Sequence, residues 1–195
     1  MLESHQGKRM SEMTEFELQP TLIGDLLELR PLQRRDLDAL YAAASDPLIW
    51  EQHPEGDRYQ REVFQRYFDS GLESKGAFAI IDRKTRRTIG SSRYCNLSSA
   101  EGEVEIGWTF LERAYWGGLY NRELKRLMLG HAFRFVNRVV FVVGENNLRS
   151  RKAVEKIGAR LVAKVERPDR NGALCPNVVF ALDRARSRDQ LAGSA

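Results

Sequence analysis

The stretch from residue 103 to residue 157 constrains this chain most. Its hydrophobic pattern reads strand (103–111), long amphipathic helix (119–136), apolar strand (139–143), then helix (147–157). Elements that alternate in this way must bury their apolar sides against one another. The outcome is a sheet layered with helices. The chain has 195 residues, 42% of them hydrophobic and 30% charged, enough to bury one core without staples. Its two cysteines, Cys95 and Cys175, lie far apart in no ligand spacing, which speaks against a disulfide framework.

The remaining segments fit the same plan. Residues 26–32 alternate as a strand. A helix over 33–44 follows and is stopped at Asp46-Pro47. Residues 53–57 form a loop broken by Pro54 and Gly56. A second helix at 58–72 carries Tyr59, Val63, Phe64, Tyr67 and Phe68 on one stripe. Strands at 77–82 and 88–95 are joined by a polar turn, and a hairpin of 160–167 and 174–182 closes the chain. The predicted order is β-α-α-β-β-β-α-β-α-β-β, an α/β domain with a mixed central sheet flanked by helices. It is neither doubly wound nor a barrel. One domain over 21–183 is expected, with flexible tails at 1–20 and 184–195. No apolar run is long enough to span a bilayer, and the first residues lack the apolar core of a secretory signal. A cytoplasmic protein without a membrane partner is the expectation.

The net charge of +4 is unevenly spread. Residues 113–160 hold 11 Lys or Arg against 3 acids, a net +8, which leaves −4 for the rest. Such a field suits a multiply phosphorylated ligand, or else belongs to solvated helix faces. Nucleic acid is not the expected partner, because no recognition helix or aromatic RNA-binding pattern accompanies the charge.

Two segments carry the candidate chemistry. Trp116-Gly117-Gly118-Leu119-Tyr120-Asn121 lies where the long helix begins. Helix starts present unpaired amides and partial positive charge, and glycines let a phosphate approach the backbone. An ordinary strand-to-helix turn would look the same from Gly-Gly alone, and neither common nucleotide-loop fingerprint is present. Asn147 and Ser150 then open the next helix on the same face as Val154 and Ile157, and Asn147 also suits a plain N-cap.

Taken together, Gly-Glu-Val-Glu-Ile-Gly-Trp at 102–108, Tyr-Trp-Gly-Gly at 115–118, Asn147-x-x-Ser150 and Lys156-Ile157-Gly158-Ala159 resemble the GNAT superfamily. The branch with the ribosomal-protein N-terminal acetyltransferases looks most similar, over residues 26–182. The family loop reads Gln/Arg-x-x-Gly-x-Gly/Ala. With Gly117 as its first glycine, the last position here is Leu119 and the first is Ala114, next to Arg113.

The resemblance implies a GNAT-like acyl-CoA N-acyltransferase fold, acetyl-CoA as co-substrate without a metal, and direct transfer of acetyl to a primary amine. The amine belongs to a protein N-terminus or a small molecule. A catalytically silent acyl-CoA-binding regulator is the alternative, and a homodimer is left open. By position, Trp108, Thr109 and Phe110 would lie along the pantetheine arm. Arg113, Trp116, Gly117, Gly118, Leu119, Tyr120 and Asn121 would surround the pyrophosphate. Asn147 would hold the pantetheine amides. Arg122, Lys125, Arg149 and Arg151 are further cations available for phosphates.

Attack by a neutral amine needs a proton acceptor, a donor for the thioester oxygen, and a proton for the leaving thiolate. Glu105 is the base candidate, with Glu103 on the same strand face as its competitor. Ser150 is the candidate donor to the sulfur. Trp50 and His53 belong to an acidic, aromatic loop (with Glu51, Glu55 and Asp57) that would border the acceptor and suit a cationic amine. His131 falls on an apolar helix stripe and reads as a packed residue. Three scattered histidines make no metal site.

Overall fold

The computed structural model describes residues 15–185. It begins with a short hairpin, β1 (Leu22–Ile23) and β2 (Leu27–Pro31), followed by α1 (Leu37–Ala44) and α2 (Arg61–Glu73). A meander of β3 (Ala77–Asp82), β4 (Thr88–Ser98) and β5 (Glu103–Leu111) comes next. Then α3 (Leu119–Ala132), β6 (Arg138–Gly144) and α4 (Leu148–Glu155) lead to the closing pair, β7 (Arg160–Pro168) and β8 (Leu174–Asp183). The strands form one sheet in the order β1-β2-β3-β4-β5-β6-β8-β7, antiparallel except for β5 and β6.

Strand alternation sends successive side chains to opposite faces, so the sheet carries a core on each side. Under α3, Phe78, Ile80, Val104, Ile106 and Phe141 pack with Leu124 and Met128. Under α1 and α2, Ala77, Ala79 and Phe110 pack with Leu40, Phe64 and Phe68. β3 is buried along its whole length because helices cover both of its faces.

Two helix starts differ from the sequence reading, each for a local reason. The first helix starts at Leu37, because Arg34–Asp36 is a 3-10 turn. Asp36 there accepts the Gln33 amide at 2.8 Å and two bonds from Arg30 at 2.7 Å. The second helix starts at Arg61, since Arg58 turns inward onto the Trp50 and Tyr67 rings.

The N-terminal boundary also moves. Phe16 is buried, edge-on to the rings of Tyr94 at 5.3 Å and His131 at 5.4 Å. Gln19 donates to the Ala77 carbonyl at 2.8 Å. Residues 16–19, assigned to the tail by their composition, therefore belong to the packed domain. The tail expectations for 1–14 and 186–195 lie outside the described residues.

The positioning feature of the fold is a divergence of two strands. β5 pairs with β6 only through Glu103–Glu105 against Arg138–Val140. Beyond that point a bulge turns β5 away. Its register against β4 shifts between Ser91 and Arg93, and Trp108 takes a positive φ of 51°. This unusual backbone is held in place. Tyr67 donates to the Trp108 carbonyl at 2.7 Å, and the Arg93 guanidinium stacks 4.7 Å from the Trp108 ring.

Candidate active site

Where β5 and β6 part, a cleft of about 1420 Å³ opens, bounded by the starts of α3 and α4 and by the loop that carries Trp50. The Gly turn forms one lip. Gly117 has φ +69°, a conformation that L side chains rarely adopt, and an added Cβ would meet nothing within 4 Å. Gly118 caps α3 in extended conformation, and no side chain caps the helix start. Its first amides are therefore left to a ligand or solvent. The turn itself is fixed, because the Trp116 indole donates to the Leu111 carbonyl at 2.8 Å.

Arg149 ties three parts of the rim together. Its guanidinium lies 4.1 Å from the Trp116 ring and donates to the Ile49 carbonyl at 2.7 Å, while its amide donates to Gln52 Oε1 at 3.0 Å. At the same helix start, Asn147 Oδ1 accepts the Ser150 amide at 3.0 Å, so Asn147 does serve as an N-cap while lining the cleft.

Among the described residues, the cleft wall includes seven Lys or Arg side chains and no Asp or Glu. Arg122 and Arg126 on α3, Lys152 on α4 and Lys156 just after it are exposed there. Six of the eleven Lys or Arg of residues 113–160 thus converge on one cavity, where low-dielectric walls strengthen their field.

The expected site residues divide into two groups. Trp50, His53, Trp108, Thr109, Phe110, Trp116, Gly117, Gly118, Asn121, Asn147 and Ser150 line the cleft. Arg113 does not, being drawn off to pair with Asp46. Leu119 is 66% exposed and points away from the lining, and Tyr120 packs edge-on against Tyr115 at 4.8 Å. Those two face other directions because a helix turns its residues through 100° each.

Neither candidate carboxylate lines the cleft. Glu103 sits at the far end of β5, in register with Arg138. Glu105 is 2% exposed and fully engaged, accepting from Arg167 at 3.2 and 3.0 Å and from Asn96 Nδ2 at 2.8 Å. It lies directly behind Gly107, which does line the cleft. A Cβ built on Gly107 would stand 3.2 Å from Glu105 Oε1, so the missing side chain leaves that oxygen one atom from the wall. Burial and the neighbouring Glu105 push the Cys95 thiol up to about 12, so it is not a nucleophile at neutral pH.

The acceptor-side loop differs from its sequence reading. Glu55 pairs with Arg58 at 2.8 Å, Asp57 with Arg170 at 2.5 Å, and Glu51 approaches Arg149 at 3.6 Å. Its acids are thus matched by arginines, and the loop presents Trp50, Gln52, His53 and Arg58 to the cleft instead. Burial, with help from the Arg58 charge, pushes the His53 imidazole down to about 3 and keeps it neutral.

Two side chains have surroundings that the sequence does not signal. Arg167 meets Glu105 across 62 residues of chain. Lys125, read as one of several phosphate cations, is 5% exposed in the floor of the cleft. His131 is buried among Phe16, Tyr94 and Phe135, away from the cleft. Among the described residues no three His, Cys, Asp or Glu gather as a metal site, and no helix is long and apolar enough to cross a membrane.

The fold has counterparts among known proteins. No curated protein matches the sequence. Solved structures do match in fold. A GCN5-related N-acetyltransferase from Brucella melitensis superposes with a TM-score of 0.75 at 20% identity, covering 89% of this chain and 85% of that one. Mycobacterium smegmatis RimJ, solved with CoA-disulfide, gives 0.66 at 18% identity, covering 86% and 88%. Spermidine N-acetyltransferase from Vibrio cholerae, solved with CoA and spermine, gives 0.64 at 16%, covering 85% and 99%. At the level of sequence, the family model described as "Acetyltransferase (GNAT) domain" matches residues 27–160. The chain belongs to the GNAT acetyltransferase family.

Proposed function

We propose that the protein transfers the acetyl group of acetyl-CoA to a primary amine by direct attack. The observation that carries this reading is the cationic, acid-free cleft that runs from the uncapped Gly117-Gly118 helix start to the divergence of β5 and β6. Such a cavity suits a ligand with phosphates at one end and a neutral arm at the other. The phosphates would rest on the α3 amides, with Arg122, Arg126, Lys152 and Lys156 around them. The arm would run along β5 through Trp108, Thr109 and Phe110, whose edge has no strand partner on the β6 side.

In the reaction the amine nitrogen bonds to the thioester carbon, the C–S bond breaks, and the nitrogen gives up a proton. Glu105 accepts that proton through a water at Gly107, where no side chain intervenes. Arg167 and Asn96 hold the carboxylate in place for this step. The acceptor enters beside Trp50, His53 and Trp108. With no carboxylate on that wall, the cleft is poorly suited to a polycationic amine and better suited to a protein N-terminus or a small monoamine.

A silent acyl-CoA-binding regulator is supported by one observation, the full engagement of Glu105 by its neighbours. Thiol release from acetyl-CoA, measured across a panel of amines and peptide N-termini, separates the two readings. Release that depends on an amine supports transfer. Binding of acetyl-CoA with no release from any acceptor supports the regulator.

A further inference from the structure

The floor of the cleft contains a charge that cofactor binding at the rim does not explain. Lys125 projects from the second turn of α3, beneath the divergence of β5 and β6, and is 5% exposed. Its ammonium has three donors. One reaches Thr109 Oγ1 at 3.3 Å, and the Phe141 ring lies 5.2 Å away. Thr109 is in turn 2.7 Å from Ser92 Oγ. The other cations of α3 and α4 in the cleft are exposed or half-buried, so Lys125 is the buried one among them. A buried ammonium with one neutral partner is costly unless a ligand completes it.

Its depth identifies which part of the ligand it meets. Lys125 lies seven residues beyond Gly118, roughly 10 Å along the helix at 1.5 Å per residue. Its partner Thr109 follows the bulge at Trp108, where the strands have already separated. Its contacts with Thr109 and Phe141 hold Nζ between β5 and β6, where the arm and its thioester would run, rather than at the Gly turn.

We propose that Lys125 is the proton donor to the departing CoA sulfur, a role that rests on the acetyl-transfer reading above. As the C–S bond breaks, the sulfur takes the electron pair and Lys125 Nζ gives it a proton, yielding the free thiol and a neutral lysine. The lysine regains its proton from solvent after product release. The groups that meet Nζ are the Thr109 hydroxyl from β5, with Ser92 behind it on β4, and the Phe141 ring from β6; Arg122 and Arg126 of α3 and Arg149 of α4 line the same cleft. No carboxylate lines the cleft to hold the proton back. Burial alone pushes the lysine down to about 8, which makes it a better acid than an exposed lysine while leaving it largely protonated at neutral pH.

The test compares wild type with Lys125→Met and Lys125→Arg, using acetyl-CoA and an amine that the wild type accepts. Turnover by wild type establishes the transfer reading first, so the two ideas fail separately. The methionine variant is expected to lose about 10²-fold in kcat, to bind acetyl-CoA as wild type does, and to lose the fall in kcat at alkaline pH. It should melt no lower than wild type, because an unpaired buried charge has been removed. Arginine keeps the charge but holds its proton too tightly, so it should not rescue. Wild-type kcat in Lys125→Met overturns the proposal, as does a loss confined to acetyl-CoA affinity. Rescue by arginine would also overturn it, since charge alone would then suffice. So would a wild-type preference for succinyl-CoA that methionine reverses, because the lysine would then bind a carboxylate.

Discussion

Replacing Gly117 by alanine isolates the contact between backbone and phosphate. Gly117 has φ +69°, and its Cβ position is open, so alanine clashes with nothing in the protein. The cost to the fold is then only that of a left-handed L-residue, roughly 1–2 kcal/mol. In a domain of this size that lowers Tm by about 2–8 °C. Binding should suffer separately, because the new methyl group stands at the lip where the pyrophosphate meets the α3 amides. A loss of at least tenfold in acetyl-CoA affinity is expected, or about 1.4 kcal/mol. Calorimetry measures both quantities, by thermal scan of the free protein and by titration with acetyl-CoA. Arg134→Glu serves as the control. Arg134 is exposed, stacks 5.5 Å from Phe135 and lies outside the cleft, so its reversal changes the distant field alone. Wild-type affinity in the alanine variant, or equal losses in both variants, would refute the argument that the shaped turn holds the phosphates.

Other outcomes follow from the same geometry. Glu105→Gln should lower turnover by about 10²-fold while leaving acetyl-CoA affinity nearly intact, as read by steady-state kinetics and titration. Arg167→Met removes the guanidinium that holds the Glu105 carboxylate, so kcat should fall while acetyl-CoA affinity stays near wild type; an unchanged kcat would argue against Glu105 as the base. Glu123 accepts the amides of Asp25, Leu26 and Leu27 at 2.8 Å each, so Glu123→Gln should cost about 2–4 kcal/mol in urea denaturation with little effect on the cleft. His53 has a folded pKa lowered from 6.5 to about 3, so its contribution is complete above 6.5 and declines as pH falls toward 3. His53→Gln should flatten that acid decline in thermal melts.

Much of the fold could be read from the residues because its signals are local. Period-2 alternation places β2, and the stripe of Val63, Phe64, Tyr67 and Phe68 places α2. Asn147 marked the start of α4 through its capping chemistry, which depends only on residues three apart. The errors arose where a distant partner intervened. Arg58 leaves the expected helix for the rings of Trp50 and Tyr67, and Phe16, which follows a mostly polar stretch of sequence, packs against Tyr94 and His131.

The candidate site shows the same division. Its Gly turn, its concentration of positive charge and its helix-opening Asn147 were present in the linear order, since each is a property of contiguous residues. Which acids are free and which cations are buried was settled by tertiary packing. Arg113 was diverted to Asp46, the loop acids were matched by arginines, Arg167 closed over Glu105, and Lys125 was enclosed beneath the divergence of β5 and β6. A side chain's charge is fixed by its covalent structure, but its partners and its exposure to water depend on residues brought together from across the chain, and those determine its chemistry.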